Sequence, residues 1–153
     1  MQYRYMHPAG WMLVIFILVM PGALYAGNPP ALISVESPYG MDKTIAVIKQ
    51  SLVSNNFRFL REQAVAEGVT EFADPDFRIL YFCNFSLAYK AIQSEKRIGF
   101  MLPCRLTVAR VGNKVTIHYL NPEYAKNMVG GSLEGICDQI TIAFNNIIDE
   151  VIM

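Results

Sequence analysis

Two alternating runs, Cys104–Val111 and Lys114–Leu120, face each other across the dipeptide Gly112-Asn113. A two-residue loop with glycine first is what a type II′ hairpin turn prefers, and so short a loop leaves no slack in the pairing. Val108 falls opposite Ile117, Leu106 opposite Tyr119, and Thr107 opposite His118. Side chains alternate between the two faces of a strand, so the register also sorts them. Cys104, Leu106, Val108, Ile117 and Tyr119 share one face, which is apolar and needs a core to lie on. Arg105, Thr107 and His118 share the other, with Ala109, Thr116 and Leu120. That outer face is neither strongly polar nor strongly apolar. A second copy of the chain is expected to pack there, as a homodimer or a larger ring.

The stretch that feeds the hairpin runs from Phe77 to Cys104. Arg78–Cys83 reads as a strand whose Ile79, Leu80, Tyr81 and Phe82 show no polar alternation, so both its faces are expected to be covered. Ser86 is a suitable N-cap for the helix that follows. In that helix Leu87, Ala88, Ala91 and Ile92 are expected to face inward, and Lys90, Gln93 and Glu95 outward. Ile98–Leu102 is apolar around Gly99, and Pro103 stops it just before Cys104.

The remaining segments supply the layers. A lead-in over residues 27–31 reaches Leu32–Glu36, an alternating strand, and Ser37-Pro38-Tyr39-Gly40 is a turn. Met41–Asn55 carries Ile45, Ile48 and Leu52 at helical spacing, with Asp42 placed to complement the helix dipole. Phe57–Val65 alternates and reads as a half-buried strand, and the acidic stretch Ala66–Asp76 reads as a loop. After the hairpin, Asn121-Pro122 breaks the strand and Glu123–Met128 is a short helical segment. Ser132, after Gly130-Gly131, is placed to cap a long last helix. Its stripe is Leu133, Ile136, Cys137, Ile140, Phe144, Ile147 and Val151. Strands alternating with helices, then a hairpin, then a striped helix predict an α+β fold. The expected form is a two-layer α/β sandwich, one domain over residues 32–153, with a mixed sheet of four to five strands and helices on one face.

The first 26 residues stand apart. Arg4 and His7 precede an unbroken apolar run, Trp11–Met20; Pro21-Gly22 ends it, and Ala23 and Ala26 follow. This is the layout of a secretory signal peptide cut after Ala26, with an uncleaved membrane anchor as the alternative. Either places the rest of the chain in an exported compartment, periplasmic or secreted. Basic and acidic residues balance at 13 each, which argues against a nucleic-acid partner. Beyond the leader, His118 is the one histidine, and the chain has no CxxC, HExxH or nucleophile elbow. Metal sites built from several histidines of one chain, and hydrolase triads, are thereby set aside.

Cys83-Asn84, Leu87-Ala88 and Ala91 spell CN-x-x-LA-x-x-A, and Gly99 to Cys104 spells G-x-x-LPC, with Ser37-Pro38-Tyr39 upstream. On these motifs the chain resembles the domain of unknown function 302 family over about Ile33 to Ile152. The resemblance implies a small α/β sandwich that tends to associate, and it implies no activity. His118 and Cys137 depart from the family pattern, in which a small or aliphatic residue is usual at the first position and no cysteine at the second. The leader is also an addition to the compact form.

Candidate chemistry gathers on the cysteines. Cys83 sits between a strand end and a helix start, where open α/β sheets place ligands and nucleophiles and where helix amides favour a thiolate. It reads either as a reactive thiol, sulfur carrier or soft ligand, with Asn84 donating a hydrogen bond beside it, or as a small buried residue under the helix. In an oxidising compartment Cys83 and Cys104 are also a candidate disulfide, closing a loop of about 20 residues and contributing roughly 3 kcal/mol. Cys137 lies on the core stripe and reads as packing. His118 is a candidate ligand for a metal or a haem iron, completed by a second copy, or a plain surface residue. Tyr81, Phe82, Phe85, Tyr89 and Phe100 read as core ahead of a stacking platform. Two classes remain. One is an exported, non-catalytic protein that binds a small molecule or a cofactor, haem or a soft metal among them, or serves as an accessory. The other is a thiol-based redox or sulfur-handling protein using Cys83 and Cys104. The absence of CxxC favours the first.

Overall fold

β1 (Leu32–Ser37) leads into α1 (Met41–Ser54), β2 (Arg58–Ala64) and β3 (Phe77–Cys83). Then come α2 (Phe85–Ser94), a 3-10 segment (Lys96–Met101), β4 (Cys104–Val111), β5 (Lys114–Leu120), α3 (Pro122–Val129) and α4 (Glu134–Ile152). The structure is a computed structural model and describes residues 29–64, 74, 76–129 and 133–153. The expected leader, most of the loop over residues 66–76, and the Ser132 cap lie outside the described residues.

The hairpin has the expected register: Leu106 pairs with Tyr119, Thr107 with His118 and Val108 with Ile117. Gly112 supplies the left-handed φ of +62° at the first turn position, which costs glycine nothing. The sheet is five-stranded in the order β1-β5-β4-β3-β2. All four pairings are antiparallel, which corrects the expected mixed sheet. α1 does join two parallel strands, but β1 and β2 end up at opposite edges with three strands between them.

Local chemistry explains the joints. At the end of β1, the Ser37 hydroxyl accepts the Tyr39 N–H at 3.2 Å and shares a 2.7 Å hydrogen bond with Thr44 Oγ1. The SPY motif is therefore a turn that seats α1. That helix ends with Asn56 at φ 61°, the Asn56 N–H on the Val53 carbonyl and the Phe57 N–H on the Leu52 carbonyl, a Schellman motif. Its last step drops Phe57 into the core.

α1 and the C-terminal half of α4 cover one face of the sheet. Ile48, Leu52, Leu80, Phe82, Val108, Ile117 and Val151 are fully buried there. Phe57, Phe82, Tyr119 and Phe144 pack as an aromatic group with ring centroids 5.3–6.0 Å apart. Of the five aromatic residues expected as core, only Phe82 is buried; Phe85, Tyr89 and Phe100 are exposed. The apolar run of β3 misled in the same way. Leu80 and Phe82 are buried, but Ile79 and Tyr81 lie on the outer face, half-buried by neighbouring side chains.

α2 does something the sequence did not announce. Phe82 of β3 pairs with Cys104 of β4, so the chain leaves and re-enters the sheet at the same end. The segment between is an end cap, not a crossover. Its Ala91 and Ile98 form a second apolar cluster with Val129, Leu133 and Cys137. Ile92, expected inward, is 38% exposed, because the cap offers α2 only a narrow contact stripe. Among the described residues, α4 alone reaches both clusters.

Candidate functional site

Leu32, Cys83, Cys104 and Leu120 mark one end of four strands, and the cap stands off from that end. The space between is a cavity of about 300 Å³. The cap side of its lining includes Leu87, Ala88 and Ala91 of α2 and Ile98, Phe100 and Met101 of the 3-10 segment. The body side includes Phe57, Leu106, Tyr119 and Phe144. Ala88 and Ala91 open the space because they end at Cβ on the face of α2 that looks toward the sheet. The alanines of CN-x-x-LA-x-x-A thus leave room, and its asparagine starts the helix. Asn84 Oδ1 accepts the Leu87 N–H at 3.1 Å. Asn84, not Ser86, is the N-cap. Both residue types cap well, and the winner is set by where the helix begins, at Phe85.

The cap is tied down by polar bonds. Arg97 Nη2 donates to Glu95 Oε2 at 2.7 Å and to the Val129 carbonyl at 2.9 Å, joining the 3-10 segment to α3. Glu95 also accepts the Arg97 N–H at 2.9 Å. The side-chain bond from Arg97 is the main cause that holds the Glu95 carboxyl at about 2. On the other side, buried Asn121 donates to the Pro30 carbonyl at 2.9 Å and accepts the Glu123 N–H at 3.0 Å, which starts α3.

All four residues singled out from the sequence, Cys83, Asn84, Cys104 and His118, line this one cavity. Cys137, read as packing, is buried in the cap cluster and lines it too. The three cysteines are free thiols. The candidate Cys83–Cys104 bridge is absent, and the register gives the reason. Cys104 stands opposite Phe82, so Cys83 falls one residue out of step, on the other side of the pleat. Of the two readings of Cys83, the buried residue under the helix agrees with its burial, and the activated thiolate does not. Burial pushes its thiol up, as it does that of Cys137. Burial, with the nearby Cys83 as a lesser cause, raises Cys104 to about 12. Asn84 occupies the helix amide that would have favoured a thiolate.

His118 lies on the outer face at the cavity mouth. Its Nδ1 is 2.8 Å from Ser34 Oγ on β1. Thr107, its partner across the hairpin, donates to the His118 carbonyl at 3.5 Å. Among the described residues no three His, Cys, Asp or Glu side chains form a group that could hold a metal. A haem does not fit inside the cavity either. A cavity of about 150 Å³ is filled by one benzene ring, and a porphyrin has four pyrrole rings around its metal. Sequence reasoning placed Arg105 on the outer face and allowed that it could come close to Cys83, but did not count it among the site residues; it lines the mouth. The hairpin register, which set Arg105 beside Thr107 and Cys104, was the signal that could have found it. A second, more open hollow of about 660 Å³ lies between Arg58, Asn84 and Gln139 and shares Cys83, Asn84 and Leu87 with the first.

Fold and site together define a two-layer α+β domain with an end-capped, thiol-lined apolar cavity. The family described as "Domain of unknown function DUF302" matches residues 33–151, and the chain belongs to that family. A crystal structure of an uncharacterized conserved DUF302 protein from Bacillus stearothermophilus is similar, with a TM-score of 0.72 and 24% sequence identity over 80% of this chain and 99% of that one. At that identity the likeness speaks for the fold alone. A search of curated proteins finds no match.

Proposed function

We propose that this protein is a non-catalytic binding protein that holds a small, largely apolar molecule between its sheet and its end cap. The cavity carries the reading. At about 300 Å³ it reaches the range of ligand sites, and apolar walls with a few polar groups at the mouth are what such sites show. The thiol-based reading draws on Cys83 and Cys104 lining one space. It is the weaker reading, because the thiolate is the reactive species and burial disfavours it at both positions. Export on the residue 1–26 leader, and a second copy packed on the outer face of the sheet, belong to the same proposal.

Filling the cavity is the test. Ala88→Phe should abolish the stabilisation that 1-decanol gives the native protein in thermal melts, and leave the unliganded melting temperature within a few degrees. An undiminished shift in the variant would place the ligand elsewhere and end the proposal. Thiol titration separates the alternative. Three thiols that react only after denaturation support binding, whereas rapid native labelling of Cys83 at neutral pH would support thiol chemistry.

A further inference from the structure

Resting on the cavity reading, we infer that the ligand is an anionic amphiphile. It has an apolar body of about a dozen heavy atoms and one carboxylate or similar oxyanion, which Arg105 binds at the cavity mouth with His118 beside it. The size follows from volume, since about 150 Å³ accommodates the six carbons of benzene and this cavity has about 300 Å³. The charge follows from the lining. Arg105 brings a full positive charge to it, and among the described residues no Asp or Glu lines it. Arg78, Arg97 and Arg110 are each paired with a carboxylate. Among the described residues Arg105 has no such partner, and within one protomer its side chain is exposed at the rim of an apolar hollow. Guanidinium matches an oxyanion in a two-point fork that a neutral or cationic head cannot use.

The surroundings favour the same head group. Arg105 stands across from Tyr81, whose ring carries the Arg61 guanidinium 4.7 Å from its centroid. A second positive charge therefore lies two strands away on the same sheet. Ser34 pins the His118 ring through Nδ1. When the Ser34 hydroxyl donates to Nδ1, Nε2 carries the hydrogen and can donate to an oxygen at the mouth. An apolar tail would enter toward Ala88, Leu106 and Phe144 while its charged end stays at the wet rim. A buried carboxylate without a partner would be costly there, and the rim position avoids that cost.

The experiment compares decanoate, 1-decanol and decylamine, which share one tail and differ in head charge. Calorimetric titration of the purified protein should show decanoate binding about tenfold or more tighter than 1-decanol, with decylamine weakest. A charge-assisted hydrogen bond supports a difference of that size. Arg105→Ala should erase the advantage of decanoate and weaken 1-decanol far less; Arg105→Lys should keep part of the advantage. Raising the salt concentration should narrow the gap. Equal binding of decanoate and 1-decanol, unaffected by Arg105→Ala, would overturn this inference and leave the cavity reading standing. Decylamine binding as tightly as decanoate would do the same. Binding of none of the three would overturn both.

Discussion

The sandwich body and its end cap are both apolar clusters, yet they are held together differently. The body is assembled by strand register, and its interior is filled by large side chains such as Phe82, Leu80, Ile48 and Ile117, all fully buried. The cap rests on five buried residues, of which Ala91 and Cys137 are small. No strand ladder fixes its position. It hangs from α4 and from directional polar bonds at Asn84, Arg97 and Asn121. The cavity lies where a well-filled cluster meets a sparsely filled one. A molecule between them completes packing that the chain leaves unfinished, so ligand binding is expected to act on the cap and hardly on the body.

Substitutions that empty each cluster put this difference to its hardest test. Phe82→Ala removes a fully buried ring from the aromatic group and should cost about 3–5 kcal/mol in urea unfolding. Ile98→Ala, in the cap, should cost about 2 kcal/mol, the low end for such truncations. The pattern matters more than the sizes. The Ile98 variant should speed amide exchange in α2 and α3 while β3, β4 and β5 keep their protection. Uniform loss of protection across the sheet would mean that cap and body are one cooperative unit.

The body was far more legible in the sequence than the cap, for a physical reason. A two-residue turn and a period of two fix which residues pair, and Gly112-Asn113 carried both signals. The stripe of α4 was legible because 3.6-residue spacing tells which side is buried. Spacing does not tell what a helix is buried against. Leu87, Ala88 and Ala91 announced an inward face on α2, but only the return of the chain at Cys104 opposite Phe82 makes that face the roof of a cavity. That return depends on the relative direction of β3 and β4, which no residue in either strand encodes. The same gap hid the disulfide answer. Cys83 and Cys104 look alike in sequence, and a one-residue offset in register parts them.

The thiols give the next largest effect, since they sit on both walls of the boundary. Burial raises Cys104 from 9.0 to about 12. The folded state therefore keeps this proton at a pH where the unfolded chain has lost it. Its contribution to stability is complete below about pH 9, and it declines as pH rises through the window from 9 to about 12. The urea midpoint should fall across that window, and Cys104→Ala should make the fall shallower. Cys83, Cys137 and Tyr119 are raised as well, so some slope should survive. Parallel alkaline limbs in the two proteins would mean that the Cys104 thiol is solvated and that the wall around it is open.

The smallest expected effect is the most specific to the cap. Glu95 is held at about 2, against an ordinary 4.5, chiefly by its hydrogen bond from Arg97. A depressed carboxyl contributes stability above its unfolded value, and the contribution is lost as pH falls from about 4.5 toward 2. The pair is on the surface, where ion pairs contribute little, so the melting temperature should scarcely register it. The carboxyl resonance of Glu95 should. Arg97→Ala removes both the side-chain partner of Glu95 and the bond to the Val129 carbonyl, and should move the Glu95 titration up toward the ordinary carboxylate range, with the backbone N–H at position 97 still holding it partly down. It should also free the 3-10 segment from α3, which would appear as faster exchange at Ile98 and faster ligand release, with the sheet unchanged. If Glu95 titrates normally and release is no faster, the polar staple is dispensable. Packing of Ile98 and Val129 would then hold the cap, and the contrast between the two regions would be one of size alone.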